Sequence, residues 1–312
     1  MKETSREEIR ALQLKSLEIL KVFDKFCRRH KLRYFLCGGC CIGTIRHQGF
    51  IPWDDDVDVF MPRPDYERLR KLWKQEMDEH QYALCRSGPG VFLRSMLTAI
   101  SDEETTFIKE RQADLDIHHG VRLEILPLDG CPNNPVLRRL QILCALIFQV
   151  FNLQEAPTSK GKALEWAGKA MLALFPGQKA RYRIWRLMEK LMSRYSFDRC
   201  TKTTELCSRY QYMVNEYPHW VFEKAVFKPF EGQKFPIPLG YDTYLTMAFG
   251  DYMELPPESA QIPKHDAVFV DLDHSYKNYR GVYFPVVYGS EEKKKKSVAK
   301  QKNEKKQEGK AE

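Results

Sequence analysis

Phe50-Ile51-Pro52-Trp53-Asp54-Asp55-Asp56-Val57-Asp58-Val59-Phe60-Met61 puts four carboxylates within five positions and frames them with apolar residues. A run of Asp alone reads as a solvated turn. Here the alternation of Val57, Asp58, Val59 and Phe60 predicts a buried strand, and side chains two apart on a strand point to the same face. Asp56 and Asp58 therefore share a face, where like charges repel unless a cation gathers them. Two such oxygens suit Mg²⁺, which keeps several waters and takes further ligands from phosphate. The sequence leaves open which of Asp54 and Asp55 turns inward.

Upstream, Tyr34 to Cys37 reads as a short buried strand ended by Gly38-Gly39, with a helical turn from Cys40 to Arg46. Glycine lets backbone N–H groups approach an anion, and a helix start adds a favourable partial charge. Gly38, Gly39, Cys40 and Arg46 are thus candidates for holding phosphate beside the acidic strand. The Cys37–Cys40 spacing has no second pair to complete a zinc site.

Further out, Ser5 with Glu8 resembles a capping box, and Ile9, Leu12, Leu17, Leu20 and Phe23 recur at helical spacing, predicting a helix to about Arg29. Pro64 to His80 has an amphipathic helical pattern. Short strands are expected at Tyr82 to Cys85, Phe92 to Ile100 and Val121 to Leu126. Asn134 to Tyr217 reads as mainly helical. Beyond it, Pro236 and Pro238 favour an extended Lys234 to Leu239, and Asp242 is expected to cap a short helix ending near Gly250.

Composition narrows the function class. The 312 residues, 43% hydrophobic, suffice for a full core. Nine cysteines without an export signal argue against a disulfide framework and for a cytoplasmic setting. The apolar stretch Leu140 to Phe151 is shorter than the roughly 20 residues a bilayer requires and contains Gln141 and Gln149, so a buried helix is expected. Half of the +8 net charge lies from Glu291 onward, nine Lys against five Glu. That composition reads as a disordered tail, suited at most to peripheral contact with the anionic inner face of a membrane. The remainder has no basic-aromatic stripe, which argues against nucleic acid.

The stretch Gly39 to Asp58, continued through Met61-Pro62-Arg63-Pro64-Asp65-Tyr66, resembles the signature of the LicD family. That family includes bacterial phosphocholine transferases and is related to fukutin-type ribitol-phosphate transferases. The resemblance returns at Leu123-Glu124-Ile125-Leu126-Pro127-Leu128-Asp129 and at Phe249-Gly250-Asp251-Tyr252-Met253-Glu254-Leu255-Pro256-Pro257. It implies an α/β (α+β) nucleotidyltransferase fold of the DNA polymerase β type, with a mixed sheet and a mainly helical addition. The implied order is an N-terminal helix (1–30), a nucleotidyltransferase-like core (31–133), the helical addition (134–217), a C-terminal part of the same domain (218–288) and the Lys-rich tail (289–312).

The resemblance further implies Asp56, Asp58 and Glu124 as the catalytic residues, with Asp54, Asp56 and Asp58 as metal ligands. The implied cofactor is Mg²⁺, or Mn²⁺ in its place. CDP-choline becomes the expected donor and a sugar hydroxyl of lipopolysaccharide or teichoic acid precursor the expected acceptor. Two departures stand out: Glu124 falls where relatives commonly have Asp, and Cys40 where they often have Thr or Ser, a thiol being the poorer donor to phosphate. The competing readings are a ribitol- or sugar-phosphate transferase with the same metal chemistry, and a noncatalytic nucleotide or glycan-assembly scaffold.

Overall fold

A computed structural model describes residues 4–156, 162–262 and 266–285. The Lys-rich tail expected at 289–312 lies outside the described residues. The chain runs α1 (Arg6–His30), β1 (Phe35–Leu36), α2 (Gly38–Arg46), β2 (Val57–Pro62), α3 (Arg63–Glu76), β3 (Tyr82–Cys85), β4 (Thr98–Asp102), β5 (Thr106–Lys109) and β6 (Arg122–Cys131). It continues with α4 (Pro135–Leu153), α5 (Lys162–Leu174), α6 (Gln178–Met192), β7 (Lys202–Thr204), α7 (Tyr210–Met213), β8 (Tyr217–Pro218), β9 (Ala225–Phe230), β10 (Gln233–Pro238), α8 (Tyr241–Phe249) and β11 (Ala267–Asp271). The mixed α/β class expected from the sequence is the class that forms.

The main sheet has the order β1-β2-β6-β4-β3. Its centre is the parallel pair β2 and β6, flanked on either side by antiparallel neighbours. Both central strands are apolar along most of their length because they are covered on both faces. β6 is ten residues long, and after leaving β2 it pairs through Asp129, Gly130 and Cys131 with β7. The segment read as mainly helical thus ends by returning two short strands, β7 and β8, to the sheet.

α1 begins at the expected capping box, with the Ser5 hydroxyl accepting from Glu8 N and the Glu8 carboxylate accepting from Ser5 N. Its buried face, including Leu12, Leu20 and Phe23, packs on the sheet. The same face fixes the acidic loop: Gln13 Nε2 donates to the carbonyls of Ile51 (3.1 Å) and Asp54 (2.8 Å). A helix that carries no chemistry thereby sets the backbone of residues that do.

α4, α5 and α6 form the helical addition, closed by a separate apolar cluster that includes Phe148, Phe151, Trp185 and Met192. The helix expected over Leu140 to Phe151 extends to nineteen residues, long and apolar enough by length and composition to cross a membrane. It is instead pinned to the protein by buried polar groups. Arg138 donates to Thr204 Oγ1 (2.9 Å) and Met213 O (2.6 Å), and Gln141 Nε2 donates to the carbonyls of Gly130 and Met192 (both 2.9 Å).

Two local expectations need correction. Phe92 to Ile100 becomes a strand only from Thr98, because Arg94 adopts a left-handed φ of 49° that interrupts extension. Asp242 does not cap α8; Gly240 occupies that position, and the Asp242 carboxylate instead accepts the Tyr252 hydroxyl at 2.7 Å.

Candidate active site

The parallel register sets Asp58 directly opposite Glu124 on neighbouring central strands. Asp56 lies two residues before Asp58, and Asp54 two before that. Asp54, Asp56, Asp58 and Glu124 all open onto one cavity of about 700 Å³, which Gly38 and Gly39 also line. The glycine turn is bonded to the acidic strand, since Cys37 N donates to Asp58 O at 3.1 Å. Gly38 has a left-handed φ of 52°, where glycine carries no steric cost. At Gly39 a Cβ would stand 2.0 Å from Asp54 Oδ2, so any side chain there would displace that carboxylate.

Burial is the largest force on these acids, and mutual repulsion adds to it. The Asp54 and Asp58 carboxyls are both pushed well above the usual carboxylate range, by burial first and then by Asp56 and further neighbouring carboxylates. Asp56, raised by burial and by Glu124, keeps an exposed face toward the cavity although protein surrounds it on the other sides. Asp55 is pushed up to about 7 by burial and Asp56. It lines a smaller adjoining cavity with Asp56, Lys109 and Asp266 rather than the large one. Glu124 differs: burial opposes its charge, but Lys109 and Arg122 outweigh it and hold the carboxyl below its usual range. Lys109 Nζ donates to Glu124 Oε1 at 3.0 Å.

These donors fit a hard divalent cation. Asp58 Oδ1 is buried without a hydrogen-bond partner, an unsatisfied acceptor that a cation would complete. One carboxylate oxygen from each of Asp54, Asp55 and Asp56 lies within 4.8 Å of the others. Carboxylates raised by crowding become ionised when a positive charge joins them.

Two residues expected at the phosphate are not brought to the cavity. Cys40 is buried, its thiol donating to Asp56 O at 3.4 Å and held well above its usual range by burial and by Asp54. It supports the backbone beneath the acids. Arg46 points to the other side of α2, where Nη1 donates to the carbonyls of Tyr252 and Glu254, both at 3.1 Å. Its position two turns along α2 carried no information about which way its side chain leaves the helix.

The cations that do line the cavity are Lys109, Arg94, Arg111 and Arg209, and Asp266, Glu205, Tyr212, Tyr244 and Phe249 are also part of its wall. None of these was singled out for this role from the sequence. They come from separate segments as isolated residues, without a spacing that marks them.

Residues 31–105, which span the glycine turn and the acidic strand, match the family model described as LicD/FKTN/FKRP, nucleotidyltransferase domain. The lipopolysaccharide cholinephosphotransferase LicD of Haemophilus influenzae is 31% identical over 272 residues, covering 82% of this chain and 96% of that protein. Uncharacterized proteins of Rickettsia prowazekii and Rickettsia typhi are each 29% identical, over 58 and 68 residues, covering 19% and 22% of this chain and 22% and 21% of theirs. With near full-length similarity to one relative and a family match over the acidic strand, the chain belongs to the LicD family.

Proposed function

We propose that this chain is a phosphotransferase that moves phosphocholine from a CDP-activated donor to a hydroxyl of a cell-surface glycan such as lipopolysaccharide. The observation that carries this reading is the convergence of Asp54, Asp56, Asp58 and Glu124 on one cavity beside the glycine turn, in a chain similar along its length to a lipopolysaccharide cholinephosphotransferase. Asp54, Asp56 and Asp58 would hold Mg²⁺, with Asp55 close enough to adjust its charge. When bound, that ion supplies positive charge against the donor diphosphate.

The chain's own residues do the rest. Gly38, with no atom within 4 Å of the place a Cβ would take, lets phosphate approach the backbone there, while Gly39 makes room for the Asp54 carboxylate. Lys109 keeps Glu124 ionised and oriented, so that Glu124 is available to accept the acceptor's hydroxyl proton. The acceptor oxygen forms a bond to the phosphorus of phosphocholine. The bond from that phosphorus to the cytidine monophosphate oxygen breaks, and CMP leaves with the electron pair.

CMP release from CDP-choline, CDP-ribitol and CDP-glycerol, each with and without Mg²⁺, tests the assignment. CDP-choline should be the preferred donor, and Asp58→Asn should lower turnover by about 10³-fold, equivalent to roughly 4 kcal/mol of barrier. In the absence of metal the same substitution should leave the protein folded and no less stable, because it removes repulsion from the cluster. Undiminished turnover in a folded Asp58→Asn protein overturns the assignment.

A further inference from the structure

Part of the cavity wall is aromatic. Tyr212, Tyr244 and Phe249 form an aromatic patch there, with ring centroids 5.6 Å apart for Tyr212–Phe249 and 6.2 Å for Tyr244–Phe249. Tyr212 comes from α7, Tyr244 and Phe249 from α8. Phe249 is 37% exposed, while Tyr244 is buried behind it. No protein cation stands over these three rings among the described residues.

Beside the patch lies Glu205, 5% exposed and lining the same cavity. Its Oε1 accepts the Tyr217 hydroxyl at 2.7 Å, and the Tyr217 ring in turn packs edge-on against Tyr244. Among the described residues no Lys, Arg or His lies within ion-pair distance of it. A carboxylate held so deep without a cationic partner is costly to ionise, and burial pushes it up to about 7. A monocation entering the cavity would relieve that cost.

The patch is also joined to the glycine turn. Gly38 N donates to the Tyr244 hydroxyl at 3.0 Å, and the adjoining Gly39 is packed against Asp54. A phosphate held at the turn thus has aromatic rings one short linker away. In a phosphocholine group two methylenes separate the ester oxygen from the nitrogen, which matches that proximity. A quaternary ammonium offers no hydrogen-bond donor. Aromatic faces and a nearby carboxylate are the surroundings that attract it.

We infer that Tyr212, Tyr244, Phe249 and Glu205 form the subsite for the donor's quaternary ammonium and set the selectivity for a trimethylated amine. This rests on the phosphocholine reading above. The subsite would discriminate by methylation: a primary ammonium is strongly hydrated and requires hydrogen-bond acceptors on each N–H, which the rings do not supply.

The test compares kcat and KM for CDP-choline, CDP-ethanolamine and CDP-glycerol in the full chain. The wild type should favour CDP-choline over CDP-ethanolamine about tenfold or more. Phe249→Leu and Glu205→Gln should each raise KM for CDP-choline about tenfold with a much smaller change in kcat. Efficiency with CDP-glycerol should fall far less, so the selectivity ratio collapses. If Glu205→Gln does not fold, Phe249→Leu and Tyr212→Leu, both at positions partly open to the cavity, decide the matter. A wild type that uses CDP-choline while the folded variants keep its selectivity overturns the subsite and leaves the donor reading intact. A wild type that releases CMP from CDP-glycerol or CDP-ribitol but not from CDP-choline overturns both.

Discussion

Around the β2–β6 pair, charged side chains face inward; along the outer side of α4 and α5, large apolar ones face outward. In the first region Asp58 and Glu124 stand side by side on the central strands and Asp54 and Asp56 on the loop that enters β2, and burial disfavours the charge of each. In the second, Leu140, Leu143, Trp166 and Leu174 are each at least half exposed. One face of the helical addition nonetheless closes an apolar cluster around Phe148 and Trp185, whose rings meet edge-on at 5.8 Å. Both arrangements depart from the ordinary rule of apolar inside and charged outside. The comparison separates what the fold needs from what it merely tolerates, because stability should respond in opposite ways in the two regions.

The junction shows how the two are held. Arg63, at the start of α3, makes a bidentate pair with Asp129 on β6, both contacts at 2.7 Å. Arg63 and Arg86 both reach Glu189 on α6, which also takes Arg186. Guanidinium groups are suited to such forks because their donors are fixed in a plane. Arg63 thus ties the central sheet to the helical addition.

The largest effect should come from the closed cluster. Phe148→Ala should cost about 3–5 kcal/mol, the range for deleting a buried aromatic ring. Urea unfolding with an unchanged m-value would read this as a stability loss rather than a change in compactness. By contrast, removing the charge of Asp58 should cost no stability without metal, although it removes most of the proposed turnover. If Phe148→Ala is nearly neutral, the helical addition is not cooperatively coupled to the rest of the molecule.

The same contrast explains what could be read from the sequence. β2 was legible because its period of two survives beneath the charges, and α1 because Ser5 and Glu8 give its start. The glycine turn was legible from its place before an acidic strand. Glu124 was reached only through resemblance, since nothing in Leu123-Glu124-Ile125 says that its strand lies parallel to β2. β5, β7 and β11 escaped notice because they are three to five residues long and gain their order from partners distant in sequence. Lys109, Glu205 and Asp266 escaped for the same reason. Cys40 and Arg46 show the converse limit: adjacency to the site in sequence does not determine where a side chain points.

An intermediate effect is expected at Glu205, and it depends on pH. Its carboxyl is raised from 4.5 to about 7 by burial, so the folded state binds the proton more tightly than the unfolded chain. The stability this contributes is present below pH 4.5 and is lost as pH rises through about 7. Thermal melts of metal-free wild type and Glu205→Gln across this window should therefore diverge. The wild type should lose on the order of 2 kcal/mol relative to the variant on going from acid to alkaline pH. Parallel curves would mean that Glu205 is ionised throughout, and so already balanced by a partner.

The smallest effect belongs to the outward row of α4. Arg138 and Gln141 hold the helix through buried hydrogen bonds to Gly130, Met192, Thr204 and Met213. Phe148 and Phe151 supply its buried apolar face. Leu140 and Leu143, each 51% exposed, add little to either. Leu140→Ala and Leu143→Ala should each change stability by no more than about 0.5 kcal/mol, since Ala is at least as good a helix former and little buried area is lost. The urea midpoint measures this. A loss of about 2 kcal/mol or more at either position would show that the row is covered in solution, and that its apolar character serves a contact rather than the fold of the chain.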